Sequence, residues 1–415
     1  MLLDSSVRPL RVAMFTPWRV QCGISDYSRY LTEALRQLPT EIASLRLVEA
    51  PEVPKEAARL RTAWSIGGFL AADRRYQALG AQMNSDKSKQ SDTADKENKK
   101  VDEKDNKTAA VTDVAHVQHQ YFFFGGVAPH KNHARAFLNA IQVPVAMTVH
   151  EIALPPEGAG WAVRQGIALT NRNNFLHPAI RALIVHTMRD RETLLTLGAA
   201  ADRIHVVTHG APPAMSLPDS VEAKRILNLE GHRIVTLFGF LAAKKGHLLA
   251  LEALKALPSD VVLLFAGGQH PQDHTDYSAD LRIRILQENL QARVRITGYL
   301  EETKIPTLMA ATDVAIAPFL QSSGSGSLAN LFAYGRAVVA SDIAAHQEIA
   351  TAMLEGLDLF RAGDANDLAA RITAVLNDVM LRARLQKTVL AYAERHSYLN
   401  MARQTTEIYR RITGC

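Results

Sequence analysis

The chain has 415 residues, of which 47% are apolar and 21% are charged, and its formal net charge is +5. This length predicts two or three domains rather than a single core, and the composition is typical of a chain that folds over most of its length. The mild basic excess suits an anionic substrate such as a nucleotide phosphate, or an anionic membrane surface, and lacks the clustered basic charge of a nucleic-acid-binding protein.

The beginning of the chain, residues 1–15, carries an acidic residue early and lacks a continuous apolar core, which argues against a signal peptide. No window reaches the roughly 18 uninterrupted apolar residues that a membrane-spanning helix needs. The two cysteines, Cys22 and Cys415, have no zinc-like spacing and fit a reducing compartment. We therefore expect a cytoplasmic protein whose only membrane contact is peripheral.

In the first half of the chain, short apolar runs rich in Val, Ile and Phe alternate with longer helical patterns, which is typical of parallel α/β units. The runs predict strands at Arg11–Phe15, Val114–Gln118, Val143–His150, Ala182–His186 and Ile204–Val207. The patterns between them predict helices near Ser25–Leu38, Trp161–Asn171 and Met188–Leu197. Thr187 followed by Asp190 resembles a capping box at the start of the last of these helices.

The segment from Asp86 to Lys107 interrupts this order. Fourteen of its 22 residues are charged, and Val101 is its only large apolar residue. Such a composition cannot bury enough apolar surface to offset the entropy cost of ordering, so it predicts a disordered insertion over about 84–112. A regulatory or partner-binding role is the alternative interpretation.

In the second half, a proline-rich stretch at Ala211–Gly231 is followed by a second series of α/β units. Its strands are predicted at Arg233–Phe238, Val261–Ala266, Val294–Ile296, Val314–Pro318, Ala337–Ser341 and Leu357–Phe360. A long helical pattern covers Met380–Ile412 at the end of the chain. Because the two halves look alike, the predicted fold class is α/β, with two Rossmann-like, doubly wound domains facing each other across a cleft.

Ligands of open α/β sheets bind beyond the carboxyl ends of the strands, and two loops in the second half fit that position. Gly239 follows the first strand there, and Lys244 and Lys245 precede the next helix. A glycine permits close approach, and free helix amides with a lysine ammonium suit a diphosphate. Lysines that are merely solvated at a helix start are an equally good interpretation of this loop alone.

The second loop is rich in glycine and serine and follows the strand Val314–Pro318. Its small residues stand just before a helix, where flexible backbone can hold anionic oxygens. Apolar strands on both sides favour a ligand-binding loop over a simple Gly/Ser linker. Its candidate donor-binding residues are Ser322, Gly324, Ser325, Gly326, Ser327 and Asn330.

The first half has two candidate ligand-binding residues, also at the carboxyl ends of strands in its predicted sheet. Gly23 lies between the first strand and its helix, and His150 ends the strand Val143–His150. His150 can bond a substrate or move a proton, or it can be a structural residue. The adjacent Glu151 does not make a dyad with it, because neighbouring strand residues point to opposite faces.

Metal ligation has little support in the sequence. His116 and His119, like His130 and His133, are three residues apart, but neither pair has an obvious third ligand. The chain also lacks an Asp-x-Asp pair of the kind that holds a divalent ion on a nucleotide-sugar diphosphate. We therefore expect neither a metal nor another cofactor.

These segments, in this order and spacing, resemble the retaining glycosyltransferases of family 4, which have the GT-B fold. The resemblance covers most of the chain, and its motifs are specific only in combination. They are Gly23-Ile24, Thr148-Val-His150-Glu151, Ile204–Gly210, Gly239–Gly246, Ile296–Leu300, Ala311–Pro318 and Ala333–Ser341.

The resemblance implies a division of labour between domains. Residues 1–212 would bind the acceptor and residues 213–390 the nucleotide-sugar. The last helix, Tyr398–Ile412 within 391–415, would cross back to the first domain. The acceptor would be a sugar, a lipid-linked molecule or a glycan, and the donor a UDP- or GDP-linked sugar. The implied activity is a retaining, metal-independent hexosyltransferase of polysaccharide or glycolipid biosynthesis.

The resemblance also implies roles for individual residues. Lys245 matches the lysine that meets the donor diphosphate, and His150 matches the histidine near the transferred sugar, so both are the predicted catalytic residues. Gly23 matches the glycine loop that closes over the phosphates. The segment that packs against the base is matched by Gly298, Tyr299 and Leu300.

Three positions depart from the family pattern. Phe240 stands where the family has an arginine, and Ser322 and Asn330 stand where it has two glutamates. A catalytically silent partner subunit, or a nucleotide-sugar epimerase or phosphorylase on the same fold, are therefore alternatives. A dinucleotide-dependent dehydrogenase is disfavoured, because neither half opens with the glycine fingerprint and its acidic residue.

Overall fold

The computed structural model describes residues 8–18, 20, 22–51, 66–84, 111–269, 276–321, 326–353 and 356–415. Most of the predicted insertion, residues 85–110, lies outside the described residues. The same holds for three predicted donor-binding positions, Ser322, Gly324 and Ser325.

The first sheet has six parallel strands in the order β2-β1-β3-β4-β5-β6. The five predicted strands are present, and a sixth, β2, adds to the edge beside β1. The strands are β1 Leu10–Thr16, β2 Ile42–Glu49, β3 Val114–His119, β4 Val145–Val149, β5 Ile180–Val185 and β6 Ile204–Val206. The order reverses between β1 and β3, which opens a crevice beyond the carboxyl ends of these two strands.

Helices follow the strands of this sheet. Those that the structure describes are α1 Gly23–Arg36, α2 Ile66–Gln82, α3 Ala134–Asn139, α4 Trp161–Phe175 and α5 Met188–Thr196. Only the N-cap half of the predicted capping box is present at α5: the Thr187 hydroxyl accepts from the Asp190 amide at 3.1 Å, but the Asp190 carboxylate accepts from that same hydroxyl at 2.7 Å rather than from the Thr187 backbone amide. It orients α5 so that its first turn faces the cleft described below.

The second sheet also has six parallel strands, in the order β12-β11-β10-β7-β8-β9. All six were predicted, with ends within one residue. They are β7 Arg233–Phe238, β8 Val261–Ala266, β9 Val294–Ile296, β10 Val314–Ala317, β11 Val338–Ser341 and β12 Asp358–Phe360. Counted within this sheet alone, the order is that of a Rossmann domain, and the crevice opens between β7 and β10.

The described helices of the second half surround this sheet and then return to the first. They are α6 Ser220–Ile226, α7 His247–Lys255, α8 Tyr277–Gln287, α9 Ile305–Ala311, α10 Gly326–Ala333, α11 Ala344–Ala352, α12 Ala365–Asn377, α13 Val379–Arg395 and α14 Tyr398–Thr413. The long helical pattern predicted over Met380–Ile412 is thus two helices, α13 and α14, and the last helix expected at Tyr398–Ile412 is confirmed to within one residue. Ser397 caps α14 by accepting from the Asn400 amide, and so separates it from α13.

Helix α14 packs against the first sheet rather than the second. Its buried residues share one hydrophobic cluster with β1, with Val114 of β3 and with α1, and the Tyr409 side chain is fully buried there. The α14 residues in the cluster are Tyr398, Met401, Ala402, Ile408 and Tyr409. The predicted domain boundaries at 212/213 and 390/391 stay predictions.

Candidate functional site

The carboxyl ends of both sheets line one cleft of about 930 Å³. The first half contributes residues between Cys22 and Tyr30, the loop that follows β4, and residues at the ends of β5 and β6. The second half contributes the loops after β7, β8, β9 and β10, and the first two turns of α10. Most of the described candidate residues line this space, namely Gly23, His150, Gly239, Lys245, Tyr299, Leu300, Gly326, Ser327 and Asn330.

Lys245 stands at the crevice between β7 and β10. Its ammonium donates to the Ser327 hydroxyl at 2.6 Å and lies 4.7 Å from the centre of the Phe319 ring. Burial, and secondarily the charge of Lys244, lowers the pKa of Lys245 to about 7. The side chain therefore loses its proton more readily than an ordinary lysine. An anion bound beside it would favour the protonated form and raise the pKa again.

Two glycines set the position of this lysine. Gly239 has φ +117, and a Cβ there would lie 2.5 Å from both the Lys245 ammonium and the Ser327 hydroxyl. Gly246 has φ +74, and a Cβ there would lie 2.0 Å from the Pro318 carbonyl oxygen. Only glycine fits both the backbone conformation and the space at these positions.

Helix α10 points its first residues at the cleft, close to the other half of the protein. A Cβ added to Gly326 would be 3.5 Å from His209 Nε2, which belongs to the loop after β6. Ser327 and Asn330 both line the cleft one turn apart. The positive end of the helix dipole therefore lies beside Lys245, where it adds to the attraction for an anion.

The segment after β9 forms one wall of the cleft. Gly298 has φ +71, and Tyr299 is 51% exposed. The Phe240 and Tyr299 rings are stacked, with centroids 6.3 Å apart and an angle of 26°. Phe240, which stands where the family has an arginine, thus extends an aromatic wall instead of supplying a charge.

His150 lies on the opposite wall among other aromatic side chains. Its ring is 4.8 Å from the Tyr27 ring and 5.9 Å from the His186 ring. Burial, followed by neighbouring histidines, holds the pKa of His150 well below its usual range, so the imidazole is neutral. Glu151 accepts instead from the Gln120 amide at 2.8 Å.

Gly23 begins α1 at the edge of the cleft, and a Cβ there would meet no atom within 4 Å. Cys22 caps this helix, because its sulfur accepts from the Ser25 amide at 3.3 Å. The space at Gly23 and the positive end of the α1 dipole leave room for an anion on this side as well.

Comparison with known proteins identifies the half that carries Lys245. Residues 232–378 match the family model described as "Glycosyl transferases group 1". This part of the chain, about a third of its length, is similar to a group 1 glycosyltransferase domain. It contains β7 through α12 and all candidate residues from Gly239 to Asn330.

One relative matches a larger part of the chain than the family model does. The chain is 27% identical over 258 residues to 2-deoxystreptamine glucosyltransferase of Streptomyces kanamyceticus, covering 57% of this chain and 62% of that relative. It thus spans less than two thirds of that relative's length.

Two solved structures superpose on almost all of the chain. Sucrose-phosphate synthase from Thermosynechococcus elongatus gives a TM-score of 0.71 at 16% identity, over 98% of this chain and 99% of that one. Anabaena Alr3699/HepE in complex with UDP and glucose gives 0.66 at 15% identity, over 96% and 98%. The chain has the GT-B fold.

Two carboxylates of the second half, Glu302 and Glu348, contact the first half, and neither contact was predicted. Glu302, just after the 298–300 segment, accepts from the Arg29 guanidinium at 3.0 Å and from the Tyr30 hydroxyl at 2.9 Å. Glu348 of α11 accepts from the Met188 amide at 2.9 Å and so caps α5 across the cleft. No local sequence signal could show these pairs, because their partners lie 160 or more residues apart.

The histidine pairs do not come together as a metal site. His116 bonds Thr148 and Tyr409, His119 bonds Asn174, and His133 bonds Asp73. Among the described residues, no group of three or more His, Cys, Asp or Glu side chains is placed to hold a metal ion. Metal independence stays a prediction.

Within the part of the chain that the structure describes, no helix combines the length and apolarity needed to cross a membrane.

Proposed function

We propose that the protein is a glycosyltransferase that moves a hexose from a nucleoside-diphosphate sugar to an acceptor, with retention of configuration and without a metal ion. The observation that carries this proposal is the Lys245 ammonium, held by Ser327 beside the first turn of α10 and facing the cleft. A lysine in this position, next to the N-terminus of a helix, is suited to a diphosphate.

The main task of the site in this reaction is to stabilise the negative charge of the departing diphosphate. When the bond between the sugar and the diphosphate breaks, negative charge grows on the diphosphate oxygen, and preorganised donors there lower the barrier. Lys245 and the α10 amides supply those donors from the protein itself. In the retaining step, the acceptor hydroxyl attacks the same face from which the diphosphate leaves, and its proton passes to the diphosphate.

The two walls of the cleft suggest where each substrate lies. The Phe240–Tyr299 wall and the 298–300 segment suit the base of the donor, because aromatic rings and backbone groups can pack against a planar ring. The HepE structure holds UDP and glucose, which supports a UDP-linked hexose, with a GDP-linked one as the alternative. His150 lies on the acceptor side, near the transferred sugar.

We propose that the acceptor is a sugar, a lipid-linked molecule or a glycan, and that the reaction belongs to polysaccharide or glycolipid biosynthesis. Among its relatives, the chain is similar to a lipopolysaccharide core mannosyltransferase, LpsB of Rhizobium meliloti, at 30% identity over 52% of that protein. Peripheral contact with a membrane would bring a lipid-linked acceptor to the open cleft.

The test is a panel of UDP- and GDP-hexoses with sugar and lipid-linked acceptors, run with EDTA in excess and analysed by mass spectrometry. We expect one donor to be consumed in EDTA, and NMR of the product to show the anomeric configuration of the donor. Lys245→Ala should lower kcat by roughly 10²- to 10³-fold, as expected for loss of one leaving-group donor.

The same panel separates the alternatives. Binding of a nucleoside diphosphate without hydrolysis or transfer from any donor would identify a catalytically silent partner subunit. Appearance of an epimerised sugar nucleotide with the donor alone would identify an epimerase. Loss of activity in EDTA that returns with Mg²⁺ or Mn²⁺ would contradict the metal-independent mechanism.

A further inference from the structure

His209 lines the cleft, and the reaction proposed above gives it no role. It lies in the loop after β6, within the Ile204–Gly210 segment, and belongs to the first half of the protein. Its imidazole packs among other rings, with ring centres 5.2 Å from that of Tyr27 and 5.2 Å from that of His186. These contacts hold the imidazole in place on the wall of the cleft.

One end of the imidazole fixes its tautomer. His209 Nδ1 lies 2.8 Å from the carbonyl oxygen of Gly210. A carbonyl oxygen can only accept, so Nδ1 carries a proton and donates it. Burial, and secondarily the charge of His186, lowers the pKa of His209 to about 3, so about one molecule in 10⁴ has a charged imidazole at pH 7. In the neutral ring the other nitrogen, Nε2, is a hydrogen-bond acceptor.

The other end of the imidazole faces the start of α10. The atoms nearest to a Cβ added at Gly326 are His209 Nε2, at 3.5 Å, and His209 Cε1, at 3.6 Å. Gly326 lines the cleft and precedes Ser327, whose hydroxyl accepts from the Lys245 ammonium. Within the described residues, His209 forms its hydrogen bond through Nδ1. The acceptor Nε2 therefore faces the place where a ligand of Lys245 and α10 would lie.

The chemistry of Nε2 differs from that of its neighbours in the cleft. Lys245 and the positive end of the α10 dipole attract anionic oxygens. A deprotonated phosphate oxygen has no hydrogen to donate to Nε2, whereas a hydroxyl group has one. In a nucleoside-diphosphate sugar the hexose is bonded directly to the diphosphate and carries several hydroxyls. Nε2 therefore matches the sugar of such a donor rather than its phosphates.

We propose that His209 is a specificity residue for the transferred sugar, and that its Nε2 accepts a hydrogen bond from one hydroxyl of the donor hexose. This inference rests on the function proposed above, and it gives the first half of the protein a direct part in the choice of donor. A donor that lacks this hydroxyl leaves Nε2 without a partner in the closed cleft. An acceptor shielded from water without a partner costs free energy, so such a donor should bind less tightly.

The test is isothermal titration calorimetry with UDP, UDP-glucose and the 2-, 3-, 4- and 6-deoxy analogues of UDP-glucose. The GDP-mannose series takes their place if GDP is the nucleotide that binds. For wild type, we expect one analogue to bind roughly 10- to 100-fold more weakly than the parent sugar nucleotide. His209→Asn keeps a donor for the Gly210 carbonyl but has no atom at the position of Nε2. It should bind that analogue and the parent equally well, with the affinity for UDP unchanged.

Two variants serve as controls. His209→Gln is the conservative one, because its longer amide reaches the position of Nε2 and should restore part of the discrimination. His205→Asn is the matched control, since His205 lies on β6, four residues before His209, and does not line the cleft. It should discriminate against the same analogue as wild type does.

Long-range ¹H–¹⁵N NMR of the full-length wild type, labelled with ¹⁵N-histidine, gives a second readout. The His209 signals are assigned by their loss in His209→Asn or His209→Gln. Addition of UDP-glucose should move the Nε2 resonance upfield, as for a nitrogen that accepts a hydrogen bond, while Nδ1 stays protonated. UDP alone should leave the Nε2 resonance where it is. This titration uses wild type and decides the matter even where His209→Asn does not fold.

Three results would overturn the inference while leaving the glycosyltransferase function intact. They are a wild type that binds all four deoxy analogues as tightly as the parent, equal discrimination by folded His209→Asn and wild type, and protonation of both His209 nitrogens when UDP is added. The last would show that His209 meets the diphosphate instead of the sugar. Failure of every nucleoside-diphosphate hexose to bind would refute the proposed function, and the inference with it.

Discussion

Binding of UDP should be coupled to proton uptake at Lys245. The ammonium donates to the Ser327 hydroxyl, and burial and Lys244 lower the pKa of Lys245 to about 7. A diphosphate beside it favours the charged form and raises that pKa again. The free protein therefore has a partly discharged lysine at neutral pH, and UDP must charge it on binding.

The size of the effect follows from the pKa. With a value of about 7 in the free protein, UDP should take up about 0.5 proton at pH 7 and about 0.9 proton at pH 8. Because the bound form needs the ammonium, the affinity should fall as pH rises, by about 50-fold between pH 7 and pH 9.

Isothermal titration calorimetry measures this uptake directly. UDP is titrated at pH 8 in phosphate and in Tris, and the difference in observed enthalpy divided by the difference in buffer ionisation enthalpy gives the number of protons. Lys245→Arg is the matched variant, because a guanidinium keeps its charge at any pH of interest and should bind UDP without proton uptake. In Lys244→Ala the pKa of Lys245 should rise, so the uptake at pH 8 should become smaller.

Two results would refute the reasoning. Wild-type protein that binds UDP at pH 8 without proton uptake would show that Lys245 is already charged there, or that it does not meet the diphosphate. Proton uptake in Lys245→Arg equal to that of wild type would place the titrating group elsewhere.

Three further predictions concern stability, a glycine and the cleft contacts. The free energy of unfolding should fall as pH drops below 6.5, because histidines of the unfolded chain take up protons there while buried ones with a pKa of about 3 do not. The buried histidines concerned are His116, His119 and His209. At pH 5 each should lower the free energy of unfolding, measured by urea titration, by about 2 kcal/mol. Gly239→Ala should lower UDP affinity at least tenfold by displacing Lys245, whereas Gly363→Ala, also at positive φ but with open space around its Cβ, should lose stability alone, by about 1 kcal/mol. Glu302→Ala should make the UDP-free protein more extended in small-angle X-ray scattering, and Glu301→Ala, whose carboxylate pairs with Lys304 of the same loop, should not. A free energy of unfolding that stays constant from pH 7 to pH 5 would contradict the histidine prediction. Equal UDP affinities of Gly239→Ala and wild type would contradict the glycine prediction, and identical scattering of Glu302→Ala and wild type would contradict the cleft prediction.

The sequence predicted the residues at the carboxyl ends of the strands better than the contacts between the two halves of the protein. Gly239, Lys245 and His150 were found because each follows an apolar strand, where parallel sheets bind ligands. Glu302 and Glu348 were missed, since a carboxylate in a loop or on a helix surface looks the same whether it meets solvent or another domain. Only the folded chain brings Glu302 to Arg29, 273 residues away.

Local pattern also explains the secondary structure that was missed. Strand β2 lies at the edge of its sheet, is only partly buried and carries Arg46 and Glu49, so it lacks the apolar run of a central strand. The helical pattern alone runs across the break between α13 and α14, and the expected start of the last helix at Tyr398 came from the resemblance. Ser397, a good N-cap residue, is the local signal of that start. Gln118 and His116 alternate on one face of β3, but only the folded chain brings His116 within hydrogen-bond distance of Tyr409 in α14, 293 residues away.

The position of the two predicted catalytic residues makes turnover depend on how the halves meet. Lys245 belongs to the second sheet and His150 to the first, so they act on one sugar only while the cleft is closed. The Arg29–Glu302 pair that joins the halves is exposed, with 33% and 59% of the two side chains accessible. Exposed pairs contribute roughly 0–1 kcal/mol, which shifts the balance between open and closed forms up to about fivefold but does not hold the cleft fully shut. The donor must therefore supply much of the closing free energy, by charging Lys245 and packing against the wall that carries Glu302.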